Sequence, residues 1–115
     1  MEHLGDLDAG LRFFHRQLAC LRPGGVGVHT TEYNVASNHR TVTAGHTVLY
    51  RRRDIEELVA AVQAAGHDMR ATFALGSTPA DRHVDTTPWT NIHLKVAADG
   101  HVLTSFGLVV RRAGA

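Results

Sequence analysis

The stretch from Leu7 to Asn34 constrains the fold more than any other part of the chain. Leu7, Leu11, Phe14, Leu18 and Leu21 recur at intervals of four and three, which places them on one face of a helix. Asp6 is suited to cap its start and Asp8 to sit in the positive field of its first turn. Pro23-Gly24-Gly25 forbids continuation, so the spacing predicts a helix over about Leu7 to Leu21. Val26 to Asn34 follows at once, and its β-branched content and short apolar start predict a strand entered from a tight turn. A helix that turns through Pro-Gly-Gly into a strand is the grammar of an α/β domain.

The rest of the chain extends this grammar. Ala36 to Gly45 is small and polar and reads as a long loop, the kind of segment a domain of this size uses for a ligand or leaves loose. Asp54 and Glu57 stand three apart in the manner of a capping box, and Ile55, Leu58, Val59, Val62 and Ala65 form a stripe, so a second helix is predicted over Asp54 to Ala65, closed by Gly66. Met69, Ala71, Phe73 and Leu75 alternate with less apolar residues, the period of a half-buried strand. Residues 76–91 hold two of the three prolines and read as an irregular surface insertion. Ile92, Leu94 and Val96 alternate, Asp99-Gly100 is a hairpin signal, and Val102 to Val110 is a long apolar strand.

With 115 residues, one small domain and one core are expected, without internal repeats. Twelve basic and eleven acidic side chains leave a formal charge of +1, too weak a field to gather nucleic acid. No apolar run approaches the ~20 residues of a membrane span, and the first residues lack the basic and apolar regions of a secretory signal, so the chain is expected in the cytoplasm, with neither membrane nor nucleic acid as partner. The lone Cys20 reads as a small buried hydrophobe.

Three segments together resemble the second half of class I S-adenosylmethionine-dependent methyltransferases: Glu2-His3-Leu4, then Leu21-Arg22-Pro23-Gly24-Gly25-Val26, then a strand ending in Thr30-Thr31-Glu32-Tyr33-Asn34. In that family an acidic-His-Leu segment follows the fourth strand and Leu-Lys/Arg-Pro-Gly-Gly introduces the fifth. On this resemblance Asp54 to Gly66 corresponds to the helix after strand five, Met69 to Leu75 to strand six, and Val102 to Val110 to the antiparallel strand seven. The implied fold is α/β, a partial Rossmann-like methyltransferase sheet with two main helices and an antiparallel C-terminal hairpin. The implied activity is methyl transfer from S-adenosylmethionine to a small-molecule acceptor.

The family holds its cofactor with a Gly-rich loop after the first strand and an acidic residue ending the second. The clustered glycines here, Gly24, Gly25 and Gly27, follow a helix and precede a strand, the reverse order. The chain therefore reads as a half-domain, with cofactor binding by itself in doubt. Helix faces and a strand edge built to pack on the other half would be left bare, implying association with a second copy or with an N-terminal half, or poor solubility.

In open α/β sheets ligands bind beyond the carboxyl ends of strands. Glu32 and His3 are accordingly the candidate catalytic bases, and His29, Thr31, Asn34 and Trp89 the candidate substrate-binding residues. For Glu32 and Asn34 the plain alternative is a polar strand end facing water; for His3, a surface histidine; for Trp89, an aromatic that pins its loop. Two rival functions stand beside methyl transfer: a non-catalytic half-domain acting as an assembly module, and a small metal-binding enzyme built on the nine histidines, of which His83 with Asp85 and His93 with His101 are the nearest pairs to suitable spacing.

Overall fold

The protein is described by a computed structural model covering residues 1–90 and 92–114; Asn91, the last residue of the expected insertion, lies outside it. In chain order the elements are β1 (Gly5–Asp6), α1 (Leu7–Cys20), β2 (Val26–Asn34), β3 (Ala44–Gly45), α2 (Arg52–Ala64), β4 (Asp68–Arg70), α3 (Pro79–Arg82), β5 (Val96–Ala98) and β6 (His101–Arg111). The fold is mixed α/β, and every ladder between these strands is antiparallel.

The long strand β6 organises the sheet. β2 runs against its full useful length, from Val26 opposite Arg111 to Asn34 opposite Leu103. On the other edge of β6, β5 pairs at His101 to Leu103 and β4 at Val109 to Arg111. Being antiparallel to the same strand, β2 and β4 run parallel to each other with β6 between them. The Asp99-Gly100 turn closes the β5–β6 hairpin as expected: φ is +50° at Asp99 and +78° at Gly100, the paired left-handed conformations of a type I′ turn.

Both main helices pack on one face of this sheet. Phe14 and Leu18 of α1 and Ile55, Leu58 and Val62 of α2 meet Met69, Phe106, Leu108 and Val110 in one core. Asp6 caps α1 as predicted, accepting from the Ala9 amide at 2.6 Å. The opposite sheet face is bare: Val26, Val28 and Val109 are 47%, 68% and 51% exposed.

Several expectations need correction. The second helix begins at Arg52, not Asp54; Asp54 sits at the third helical position and accepts from the Arg51 amide at 2.8 Å, so it is the returning partner of the capping arrangement and not its start. The Arg51 guanidinium also closes on Asp54, and Arg52 pairs with Glu56 at 2.8 Å, which engages both arginines locally. The strand expected over Met69 to Leu75 is a ladder only at Asp68–Arg70; Ala71 and Phe73 still pack on the core while Leu75 is exposed. Ile92 and Leu94 precede the strand they were expected to join and are 89% and 56% exposed. The insertion contains the short helix α3, and the 36–45 loop contains β3. Cys20, expected buried, is exposed at the end of α1, on the far side from Leu18.

Candidate functional site

The carboxyl end of β2 is where the sequence-predicted residues can be judged together. Tyr50 fixes this end: its amide donates to the Glu32 carbonyl at 3.1 Å and its carbonyl accepts from the Asn34 amide at 2.9 Å. The Tyr50 ring is fully buried, and its hydroxyl donates to the Leu7 carbonyl at 3.1 Å. Gly10 permits this approach, because a Cβ there would collide with the Tyr50 hydroxyl. Val48, Leu49 and Tyr50 thus seat the strand end against α1 although no regular element contains them.

The turn at the start of the chain folds back over the same strand end. The Glu2 carboxylate accepts from the Thr31 hydroxyl at 3.2 Å and from the Met1 ammonium at 2.9 Å, while its carbonyl accepts from the Val48 amide. Burial would raise the Glu2 carboxyl, but these donors outweigh it and hold it below the ordinary carboxylate range. His3 Nδ1 lies 2.8 Å from the His46 carbonyl oxygen. A carbonyl only accepts, so in the neutral ring the proton sits on Nδ1 and Nε2 keeps its lone pair, 3.7 Å from Glu2 Oε1. The Glu32 carboxyl is raised, first by burial and then by the negative charge of Glu2, with His3 opposing.

The structure therefore brings His3 and Thr31 onto Glu2, whose side chain sequence reasoning took only as part of a motif, while Glu32, next to Thr31 on β2, feels the charges of both Glu2 and His3. Thr31 is itself buried and positions Glu2. Chemically this strand end offers an exposed imidazole with a free lone pair and, separately on β2, a carboxyl biased toward holding a proton, groups able to accept a proton from a hydroxyl or amine.

The other candidates lie apart from it. His29 packs edge-on between Phe13 and Phe14 of α1, with ring centroids 5.8 and 5.6 Å away. Asn34 is buried and closes its own turn, accepting from the Ala36 amide at 3.0 Å and donating to the Arg40 carbonyl at 2.9 Å. Trp89 is exposed and donates from its indole to the Ala97 carbonyl at 3.3 Å, which ties the insertion to β5.

The remaining polar groups resolve into local architecture. Asp81 caps α3 through the Thr78 amide and hydroxyl at 2.9 and 2.6 Å. Buried Asp85 accepts from the Thr86 and Thr90 amides at 3.0 and 2.7 Å, with His93 Nδ1 at 3.0 Å, so it ties Thr86, Thr90 and His93 together. His93 and His101, paired across the hairpin by expectation, are separated: His93 joins Asp85, and His101 Nδ1 lies 3.4 Å from Asn34 Nδ2. Among the described residues no three His, Cys, Asp or Glu side chains converge as metal ligands, and no helix is long and apolar enough to cross a membrane.

Compared with known proteins, the chain matches no family model, no curated protein and no solved structure.

Proposed function

We propose that the chain is the rear half of a methyltransferase-like α/β domain, and that it furnishes the acceptor side of a methyl-transfer site whose cofactor side comes from another segment or chain. The observation that carries the reading is the placement of β6, antiparallel to two helix-preceded strands and hydrogen-bonded between them, with Glu2-His3 folded over the end of the first. The family resemblance implies an antiparallel strand seven after strands five and six, and this arrangement is consistent with it.

The residues present do not fit S-adenosylmethionine. The clustered glycines lie where α1 passes into β2, and no strand-to-helix turn among the described residues carries such a cluster. What this chain contributes is proton management: His3 Nε2 or Glu32 takes the proton of an acceptor hydroxyl or amine, and Glu2 steadies the imidazolium that forms.

A second reading, an assembly module without catalysis, is favoured by the bare sheet face of Val26, Val28 and Val109, which a second copy or an N-terminal half would cover. Complementation separates the two. A front segment bearing a glycine-rich loop is fused ahead of Met1, and S-adenosylhomocysteine is titrated by calorimetry. Methyl transfer requires heat and a melting shift in the fusion that the chain alone lacks. A folded fusion that binds nothing leaves the assembly reading.

A further inference from the structure

On the edge of β6 away from β2, the ladder is interrupted. β5 stops at Leu103 and β4 starts opposite Val109, so the edge from Thr104 to Leu108 has no strand beside it among the described residues. A cavity of about 470 Å³ occupies this gap, within the range of small-molecule sites. Its inner wall is aromatic. Tyr33 and Phe106 have ring centroids 5.0 Å apart, and Phe73 lies 5.3 Å from Phe106 and 6.1 Å from Tyr33. The rings tilt at 35° to 49° to one another instead of stacking. The Arg52 guanidinium stands over Phe73, 4.7 Å from the ring centroid.

The charged lining favours an anion. Arg70 and Lys95 are the cations, and the one carboxylate, Asp81, is engaged in capping α3. Among the described residues Arg70 pairs with the exposed Asp68 at 3.7 Å, a contact that yields readily to a better one. The open edge of β6 adds backbone polar groups that no neighbouring strand uses. None of these residues belongs to the Glu32 cluster, so the site stands independently of the methyl-transfer reading.

From this we infer that the gap between β4 and β5 binds a planar aromatic carboxylate, its ring against Phe73, Phe106 and Tyr33 and its anionic group at Arg70 and Lys95. Offset contact with tilted rings contributes through the ring system, and a guanidinium and an ammonium contribute through charge-assisted hydrogen bonds. A ligand with only one of the two features gives up the other contribution.

The test uses the full chain with 2-naphthoate, against 2-naphthol as the neutral ring and cyclohexanecarboxylate as the non-aromatic acid, followed by calorimetry and by the side-chain NMR signals of Phe73 and Phe106. Expected is saturable binding of 2-naphthoate, roughly tenfold tighter than either control, since one good charged contact is worth about that factor. Arg70→Gln with Lys95→Gln, at an exposed and a half-buried position and checked for an unchanged fold by circular dichroism, should weaken 2-naphthoate at least about fivefold and leave 2-naphthol unchanged. Absence of saturation at millimolar 2-naphthoate, shifts confined to other residues, or equal affinity for acid and neutral ring each overturns the inference.

Discussion

Replacing Gly10 with alanine tests how the strand end of the candidate site is held. In an exposed helix this change stabilises by up to about 1 kcal/mol, because glycine is the poorer helix former. At Gly10 the added methyl meets the hydroxyl of fully buried Tyr50, with Tyr50 Cζ at 3.1 Å and the Met1 carbonyl oxygen at 2.9 Å. The Tyr50 side chain cannot swing aside without giving up the Leu7 carbonyl and its buried place in the core, while its backbone is held by Glu32 and Asn34. Overpacking of a full core costs about 1–3 kcal/mol, so a net loss of about 2 kcal/mol is expected, or about 8 °C in the melting temperature of a domain this size. Tyr50→Phe alone should cost about 1 kcal/mol for the lost hydrogen bond. Because it also removes the colliding oxygen, the double variant should be more stable than the sum of the single losses by about 1 kcal/mol. The assay is denaturant unfolding of the four proteins. A neutral or stabilising Gly10→Ala, or strict additivity, would refute the packing argument.

Other outcomes follow from the same geometry. Glu32 has a raised carboxyl, so its contribution to stability is present at low pH and lost as pH rises through that raised value; Glu32→Gln should remove this part of the slope in melting temperature against pH. Asp85 has the opposite sign: the Thr90 amide foremost, with Thr90 and His93 side chains and Thr86, lowers it, and its hold on Thr86, Thr90 and His93 persists above the ordinary carboxylate range and fails as pH falls through the lowered value. The emission of Trp89, the only tryptophan, should then shift red in acid, and Asp85→Ala should show the shifted spectrum already at neutral pH. Leu108→Ala, at a fully buried point of β6, should cost about 2–5 kcal/mol by chemical denaturation.

The sequence was most legible where one physical rule acts alone. Phe14 and Leu18 fall in the core, Asp6 caps α1, and Val26–Asn34 is a strand with the bounds its composition implied, because Pro23 and Gly24 punctuate it. Legibility failed where tertiary pairing decides. Met69 to Leu75 has a strand's alternation, yet only Asp68–Arg70 finds β6 as a partner, and the remainder peels away to border the open gap. Asp54 was read as the first member of a capping box with Glu57, whereas it is the returning partner of Arg51, which supplies both the amide and the guanidinium. Within the candidate site, His3 and Glu32 were foreseeable as titratable groups at a strand end. The role of Glu2 depends on a chain reversal that brings residue 2 beside residue 31, which no local pattern encodes. The seating by Tyr50 was hidden likewise, although three consecutive apolar residues, Val48-Leu49-Tyr50, in a polar stretch were a signal that something there is buried. His29 illustrates the converse, a histidine at a suggestive place whose ring serves packing between two phenylalanines.

The claim that the bare sheet face of this chain is an association surface is tested most directly by sedimentation equilibrium over a wide range of concentration, on the wild type and on Val28→Lys with Val109→Lys. Both valines are exposed, so the substitutions should change stability by no more than about 0.5 kcal/mol per site. The account predicts that the wild type self-associates as concentration rises and that the charged variant stays monomeric with an unchanged fold. A wild type that remains a cooperatively melting monomer throughout, indistinguishable from the variant, would contradict it.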